Sequence, residues 1–308
     1  MSASTSDEIG HADVPTFSVP AVFAAHTVAR EGEEGRRWLT QLPELVQELY
    51  AAWGLRPDGA PMHGGLGVAV PVVRSGEPCV LKLAWPDDST AHAAIALATW
   101  GGRGAAKLLA ARPEVGALLI ERLDSARSLN DIAIDPAVEI AGGLLRRLAV
   151  PAPPSVPRQA ELVAGLIASL QERWERLGRP LERRLIDAAV AEATELNTSG
   201  DALLVNWDLH YENILAGTRE PWLAIDPKVV AGEVEYGVAQ LLWTRLDEID
   251  GRSGLRRRFE SLIEAAGLDA ERARRWSLVR CVDYWLWGIR VGLTEDPKRC
   301  AALVEWLE

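Results

Sequence analysis

Between Glu33 and Trp53 the apolar residues Trp38, Leu39, Leu42, Leu45, Val46, Leu49 and Trp53 recur at the three- and four-residue spacing of one helical face. Pro43 lies inside that run. It has no N–H to donate and clashes with the carbonyl four residues back, so it predicts a break into two helices. The period then shortens. Val68–Val73 and Cys79–Leu83 are β-rich runs on either side of Arg-Ser-Gly-Glu-Pro, which predicts a hairpin. Ser89–Trp100 reads as an Ala-rich helix, and Lys107–Ala111 and Ala117–Leu123 as two further strands joined by a turn at Arg112–Gly116. Helical spacing returns at Ile140–Leu148 and stops at the Pro-rich spacer Val150–Pro157. Arg158–Leu177 and Leu181–Leu196 are helical again. Leu203–Val205 and Ile214–Ile225 form a strand-like island, and the chain beyond Glu235 reads as helix. This order predicts an α+β fold of two lobes: a frayed polar tail over 1–16, a small β-rich lobe over 17–122, and a larger helical lobe over 123–308.

Charge and cysteine content narrow the class. Of 308 residues, 33 are Lys or Arg and 44 Asp or Glu, a net charge of -11. Such a surface repels nucleic acid and anionic membrane and favours small cationic ligands. Cys79, Cys281 and Cys300 are odd in number and far apart in sequence, which suits buried thiols in a reducing compartment better than disulfides or zinc. No apolar run approaches membrane-spanning length, and the first residues have no apolar signal core. The expectation is a cytoplasmic monomer.

The strand-like island carries the chemistry. Asp208-Leu-His-Tyr-Glu-Asn213 has the D-x-x-x-x-N spacing of kinase catalytic loops. Asp201 and Asn206 share that spacing, so the surroundings decide. Leu203-Leu204-Val205 leads into Asp208 as a buried strand, and after Asn213 come two short apolar runs that end at Asp226. Paired strands lie about 5 Å apart, so a hairpin there sets Asn213 beside Asp226. An amide oxygen next to a carboxylate suits Mg²⁺, which takes its other ligands from water and phosphate.

The segment WDLHYENILAGTREPWLAIDP, Trp207 to Pro227, resembles the aminoglycoside/hydroxyurea phosphotransferase family, streptomycin 6-kinases in particular, whose fold is protein-kinase-like. The likeness continues through GEEGRRWLTQLPELV (Gly32–Val46), HGGLGVAVPVVR (His63–Arg74), LKLAWP (Leu81–Pro86), TWGGRGAAKLLA (Thr99–Ala110) and LLIERLD (Leu118–Asp124). It implies ATP and Mg²⁺ as cofactors, Asp208 as catalytic base, and Asn213 and Asp226 as metal ligands. Lys82 is then the partner of the α- and β-phosphates; a lysine between Leu81 and Leu83 is costly unless it meets an anion. Gly64, Gly65 and Gly67 become the turn over the triphosphate, and Glu121 to Leu123 the connector that reads the adenine edge.

Three positions depart from the family pattern. Asn206 stands where a catalytic-loop His is usual, and Ala93 where a Glu often partners the lysine, leaving Asp87 or Asp88 for that task. Gly237 follows an aromatic where an Asp is common, on what is expected to be the substrate side. Acceptors in this family are small hydroxylated molecules, often cationic antibiotics. Glu233, Glu235, Asp283, Glu295 and Asp296 are candidates to bind the cation, with Trp243, Trp285 and Trp287 as stacking faces. Streptomycin is the favoured acceptor, hydroxyurea or an amino sugar the alternative, and a ligand-binding protein with little turnover the reading from another class.

Overall fold

The computed structural model describes residues 17–197 and 203–307; the tail over 1–16 and Asp201 lie outside the described residues. The architecture is α+β, in two compact units. One holds the described residues up to Asp87 together with Leu109–Arg122, the other Asp88–Leu108 together with the described residues from Leu123 onward.

In the first unit, helix α1 (Ala21–Trp53) precedes strands β1 (Leu55–Pro57), β2 (Met62–His63), β3 (Gly67–Arg74) and β4 (Glu77–Ala84), followed after an excursion into the second unit by β5 (Leu108–Arg112) and β6 (Ala117–Glu121). The sheet runs β1-β3-β4-β6-β5, with β2 added on β3. The β3–β4 hairpin turns at Ser75 and Gly76, both at positive φ (52° and 87°), as a two-residue turn with the twist of its strands requires. Alternation then does the sorting. Val68, Val70 and Val72 of β3, Leu81 and Leu83 of β4, and Leu119 of β6 face one way and pack with Trp38, Leu42, Val46 and Leu49 of α1.

The predicted break at Pro43 does not occur. Pro43 rides inside α1, and the non-helical residue is Gly32, at φ 62° and ψ -134°. Leu42 and Val46, both fully buried on the sheet, hold the helix through the proline, so packing outweighs the one lost hydrogen bond.

The second unit begins with α2 (Asp88–Trp100). The division expected at residue 122 had put this helix and the segment after it in the first lobe. They cluster with the second unit instead, because Trp100 is buried and its indole N–H donates to Leu148 O at 2.9 Å. Gly104 and Ala106 also exchange backbone bonds with Ala224. Strand β7 (Asp124–Ser128) follows, then α3 (Ile134–Leu148), α4 (Gln159–Arg176) and α5 (Arg183–Leu196). Next come β8 (Leu203–Asn206), β9 (Ile214–Ala216), β10 (Trp222–Ala224) and β11 (Val229–Gly232). Helices α6 (Val238–Trp243), α7 (Gly251–Ala266), α8 (Ala270–Arg290) and α9 (Glu295–Leu307) complete it, with α8 packed on α5, α6 and α9. Strand β7 is an addition to the expected elements: Asp-Ser-Ala-Arg-Ser has no apolar alternation and joins β9 by backbone pairing across an irregular register. The three cysteines are buried and free. Among the described residues no helix is long and apolar enough to cross a membrane.

These two sites in α1 give opposite expectations for stability. Gly32→Ala puts a side chain into a backbone conformation that costs on the order of 1–3 kcal/mol, so its urea midpoint should fall. Pro43→Ala restores an N–H inside a helix and should leave the midpoint unchanged or raise it. The reverse order would return the break to Pro43.

Candidate active site

Strands β8 and β11 run antiparallel with Asn206 opposite Val229, and the next bond, Trp207 N to Lys228 O at 3.0 Å, closes the base of the excursion between them. Inside it, Tyr211–Asn213 make one 3₁₀ turn and β9 pairs with β10, Ile214 opposite Ala224. Ile225 N donates to Asn213 O at 2.8 Å, so Asp226 follows the residue bonded to Asn213. The chain then reverses sharply: Asp226 has φ +50°, a left-handed conformation that Asp tolerates better than most residues, directly before Pro227.

Asp208 lies within this clasp, its side chain 17% exposed, with Oδ2 2.8 Å from Lys228 Nζ. Its backbone N–H donates to Asn206 Oδ1 at 3.2 Å. Asn206 is itself buried and thus braces the loop from the position where a His was usual. Gly237 has a reason of its own. A Cβ there would lie 2.9 Å from Asn206 O, so the residue lets the chain pass close behind the end of β8. It is buried against β8.

Buried arginines support the same loop. Arg280 of α8, 4% exposed, lies 4.7 Å from the Trp207 ring and 4.9 Å from that of Tyr236. Arg258 of α7 donates to Tyr211 Oη at 2.8 Å and to the carbonyls of Leu241 and Thr244, while Tyr211 donates to Leu241 O at 3.0 Å. Burial lowers the imidazole pKa of His210, which favours its neutral form.

In the first unit, Lys82 is paired in register with Ala69 and Leu118 on the sheet face opposite α1. Burial lowers its ammonium from the ordinary 10.5 to about 8. Neither Gly64 nor Gly65 has positive φ, and a Cβ on either would meet nothing within 4 Å, so these two glycines leave open space rather than relieve strain. Gly64 N donates to Gly67 O at 3.0 Å, and Arg30 reaches Gly65 O at 3.2 Å. Glu121 ends β6 opposite Cys79. Arg122, next in the connector before Leu123, is fastened to the sheet by Asp58 at 2.7 Å and by Val72 O and Cys79 O.

A cavity of about 450 Å³ opens beside the Asp208–Asn213 loop within the second unit, lined by His210, Glu212, Gln240, Glu248, Tyr284 and Asp296 among others. Tyr284 donates to Asp296 Oδ2 at 3.0 Å. Gln240 is buried, and its Oε1 has no hydrogen-bond partner among the described residues. Arg245 and Arg299, also in the lining, are committed to Glu248 at 2.6 Å and to Asp247 and Asp296. Most acids proposed from sequence lie elsewhere. Glu233 is taken by Arg272 at 2.6 Å and by the Trp276 indole, Glu235 accepts from Asp269 N at 3.2 Å, and Asp283 is held by Arg173 at 2.6 Å. Each of these carboxylates has an internal task that chain distance concealed. Trp287, 37% exposed, stacks on Tyr284, which stacks on Trp243 at 4.5 Å; of the candidates it is tied to the cavity through Tyr284. Sequence reading missed Gln240, Tyr284 and Lys228. For Lys228 a signal was available, since a lysine between Pro227 and Val229 invites the argument already applied to Lys82.

Among the described residues, no three or more His, Cys, Asp or Glu side chains form a group able to hold a metal alone. The Asn213 amide oxygen and the Asp226 carboxylate are a donor set that fits Mg²⁺ shared with phosphate and water.

The pattern that defines the aminoglycoside/hydroxyurea antibiotic resistance kinases matches residues 52–292. The chain is 41% identical to the hydroxyurea phosphotransferase of Kitasatospora aureofaciens, over 94% of this chain and 85% of that one. It is 40% identical to a streptomycin 6-kinase of Streptomyces griseus, over 94% and 96%. In fold it is similar to a thermostable variant of aminoglycoside phosphotransferase APH(4)-Ia solved as a ternary complex with ADP and hygromycin B. The TM-score is 0.59 at 14% identity, over 84% of this chain and 97% of that one. With the pattern matched over most of its length and relatives at 40% and 41% identity covered nearly throughout, the chain belongs to the aminoglycoside/hydroxyurea antibiotic resistance kinase family.

Proposed function

We propose that the protein transfers the γ-phosphate of ATP to a hydroxyl of a cationic antibiotic of the streptomycin type. The observation that carries this reading is the acidic cavity beside the Asp208 loop, with its aromatic wall and the Gln240 side-chain amide oxygen that has no partner among the described residues. Its volume of about 450 Å³ is in the range of sites for drug-sized molecules, and hydroxyurea would fill only a small part. Guanidinium and amine groups supply the N–H donors that Gln240 and the lining carboxylates accept, and the Tyr284–Trp287 stack offers π faces to cations.

Asp208 aligns the acceptor hydroxyl and accepts its proton. Lys82 receives the ATP phosphates, the Gly64–Gly67 turn lies over them, and Glu121 to Leu123 take the adenine. Asn213 and Asp226 would hold Mg²⁺, which when bound neutralises phosphate oxygens. Since phosphoryl transfer asks mainly for alignment and charge compensation, this set suffices without a covalent intermediate. An ADP-release assay with streptomycin, hydroxyurea and other hydroxylated antibiotics tests the reading, and turnover of none of them would defeat it.

Three outcomes follow from the assigned roles. Asp208→Asn should lower kcat by roughly 10²–10⁴ while nucleotide affinity, read by calorimetry, stays near wild type; an unchanged kcat removes Asp208 from the chemistry. For Lys82 the sign is fixed by its depressed pKa. ATP favours the ammonium, so above pH about 8 binding must take up a proton, and affinity should fall by up to about tenfold per pH unit. Below pH 8 Lys82 contributes no pH dependence. Calorimetry across pH 7–9.5 should show the fall in wild type and its loss in Lys82→Met. Finally, exposed acids attract a cationic acceptor through a field screened over about 8 Å at physiological salt. KM for streptomycin should therefore rise several-fold from low to high salt, and Glu212→Gln with Asp296→Asn should flatten the trend. A salt-independent KM in wild type would deny the cavity its electrostatic role.

A further inference from the structure

The clasp that positions Asp208 also delivers a cation to it. Because Trp207 N bonds Lys228 O at the end of the β8–β11 ladder, Asp208 and Lys228 leave the same end of two paired strands. The Lys228 ammonium lies 2.8 Å from Asp208 Oδ2 and 5.7 Å from the centre of the Trp207 ring. Its side chain is 35% exposed, so the group is fixed on one side and open on another. An ammonium has three N–H donors, and the carboxylate accepts one of them.

Stability does not account for this pair. A partly exposed Lys–Asp contact adds little to folding stability. The arrangement gains a purpose if the cation also serves the phosphoryl group. In transfer to an alcohol, the hydroxyl oxygen bonds to the γ-phosphorus, and the bond from that phosphorus to the β,γ-bridging oxygen breaks with its electron pair going to ADP. The hydroxyl proton passes to Asp208. Negative charge is then spread over the three non-bridging oxygens next to the attacking oxygen, and a fixed cation there stabilises the transition state more than the ground state.

We propose that Lys228 is a further catalytic residue, holding Asp208 with one N–H and donating another to a non-bridging oxygen of the phosphoryl group in transit. This rests on the kinase reading in which Asp208 aligns the hydroxyl. Asp226, through the Mg²⁺ it would help to hold, and Lys228, directly, would then both offset phosphate charge from one short stretch of chain.

The test uses the full chain with Lys228→Met, Lys228→Arg, Asp208→Asn and the double variant Asp208→Asn/Lys228→Met. Calorimetry measures MgADP alone and MgADP with aluminium fluoride, a mimic of the transferred phosphoryl group, without acceptor; assays supply kcat and KM. Lys228→Met should lower kcat by about 10²–10³ with KM for ATP within a few-fold. It should also weaken the aluminium fluoride complex at least tenfold while MgADP binds as in wild type, which doubles as the check on folding. Lys228→Arg should recover part of both losses, and the double variant should be slower than Asp208→Asn. An aluminium fluoride affinity unchanged in Lys228→Met, or a double variant no slower than Asp208→Asn, would reduce Lys228 to a residue that only positions Asp208 and overturn the proposal. Activity of Asp208→Asn by itself checks the underlying kinase reading, and the mimic titration decides Lys228 independently of it.

Discussion

The antiparallel ladder between β8 and β11 is the constraint on which the candidate site depends. Leu204, Val205, Val229 and Val230 are all buried, so the clasp is held by the core as well as by backbone hydrogen bonds. The polar residues proposed for the chemistry in this unit all lie on the chain it closes off: Asp208 and Lys228 at its base, Asn213 and Asp226 at the neck of the inner hairpin. Loop closure has an entropic cost that rises slowly with length, and one apolar ladder offsets it for all four residues. Their relative positions are therefore set by backbone register, which is stiffer than any arrangement of side chains alone.

A second layer of support comes from buried guanidinium groups. Moving a charge out of water is expensive unless it finds polar or π partners. Arg280 finds the faces of Trp207 and Tyr236, and Arg258 finds Tyr211 and the carbonyls at the end of α6. Both tie helices remote in sequence to residues flanking Asp208. The helical mass of the second unit thus serves the loop as well as its own core, and Gly237 allows the close approach this requires.

The distribution of acidic charge follows the same logic. A net charge of -11 suggests attraction for cations anywhere on the surface, yet many carboxylates have local arginine partners, as Glu233 with Arg272, Asp283 with Arg173 and Glu192 with Arg275. The cavity beside the Asp208 loop also has paired acids, Glu248 with Arg245 and Asp247 and Asp296 with Arg299, but it holds in addition a buried amide oxygen, Gln240 Oε1, with no hydrogen-bond partner among the described residues. Unmatched hydrogen-bonding capacity in an enclosed place marks a ligand site better than charge in bulk does.

Sequence alone determined the local elements and the motif. The β3–β4 hairpin was legible because alternation and the Ser-Gly turn act over a few residues, and the Asp208–Asn213 spacing with its flanking apolar runs located the β9–β10 hairpin for the same reason. Pro43 misled because propensity is local while Leu42 and Val46 are fixed by a sheet formed from later residues. β7 was invisible because its pairing uses backbone alone. The partners of Glu233, Asp283 and Lys228, and the lack of one for Gln240 Oε1 among the described residues, were decided only by tertiary structure. A carboxylate reads the same in sequence whether it meets an arginine on its own helix, one 110 residues away as Asp283 does, or none. Charge and hydrogen-bonding capacity are properties of a residue, but whether they are satisfied is a property of its neighbours, and only the packed chain brings those neighbours together.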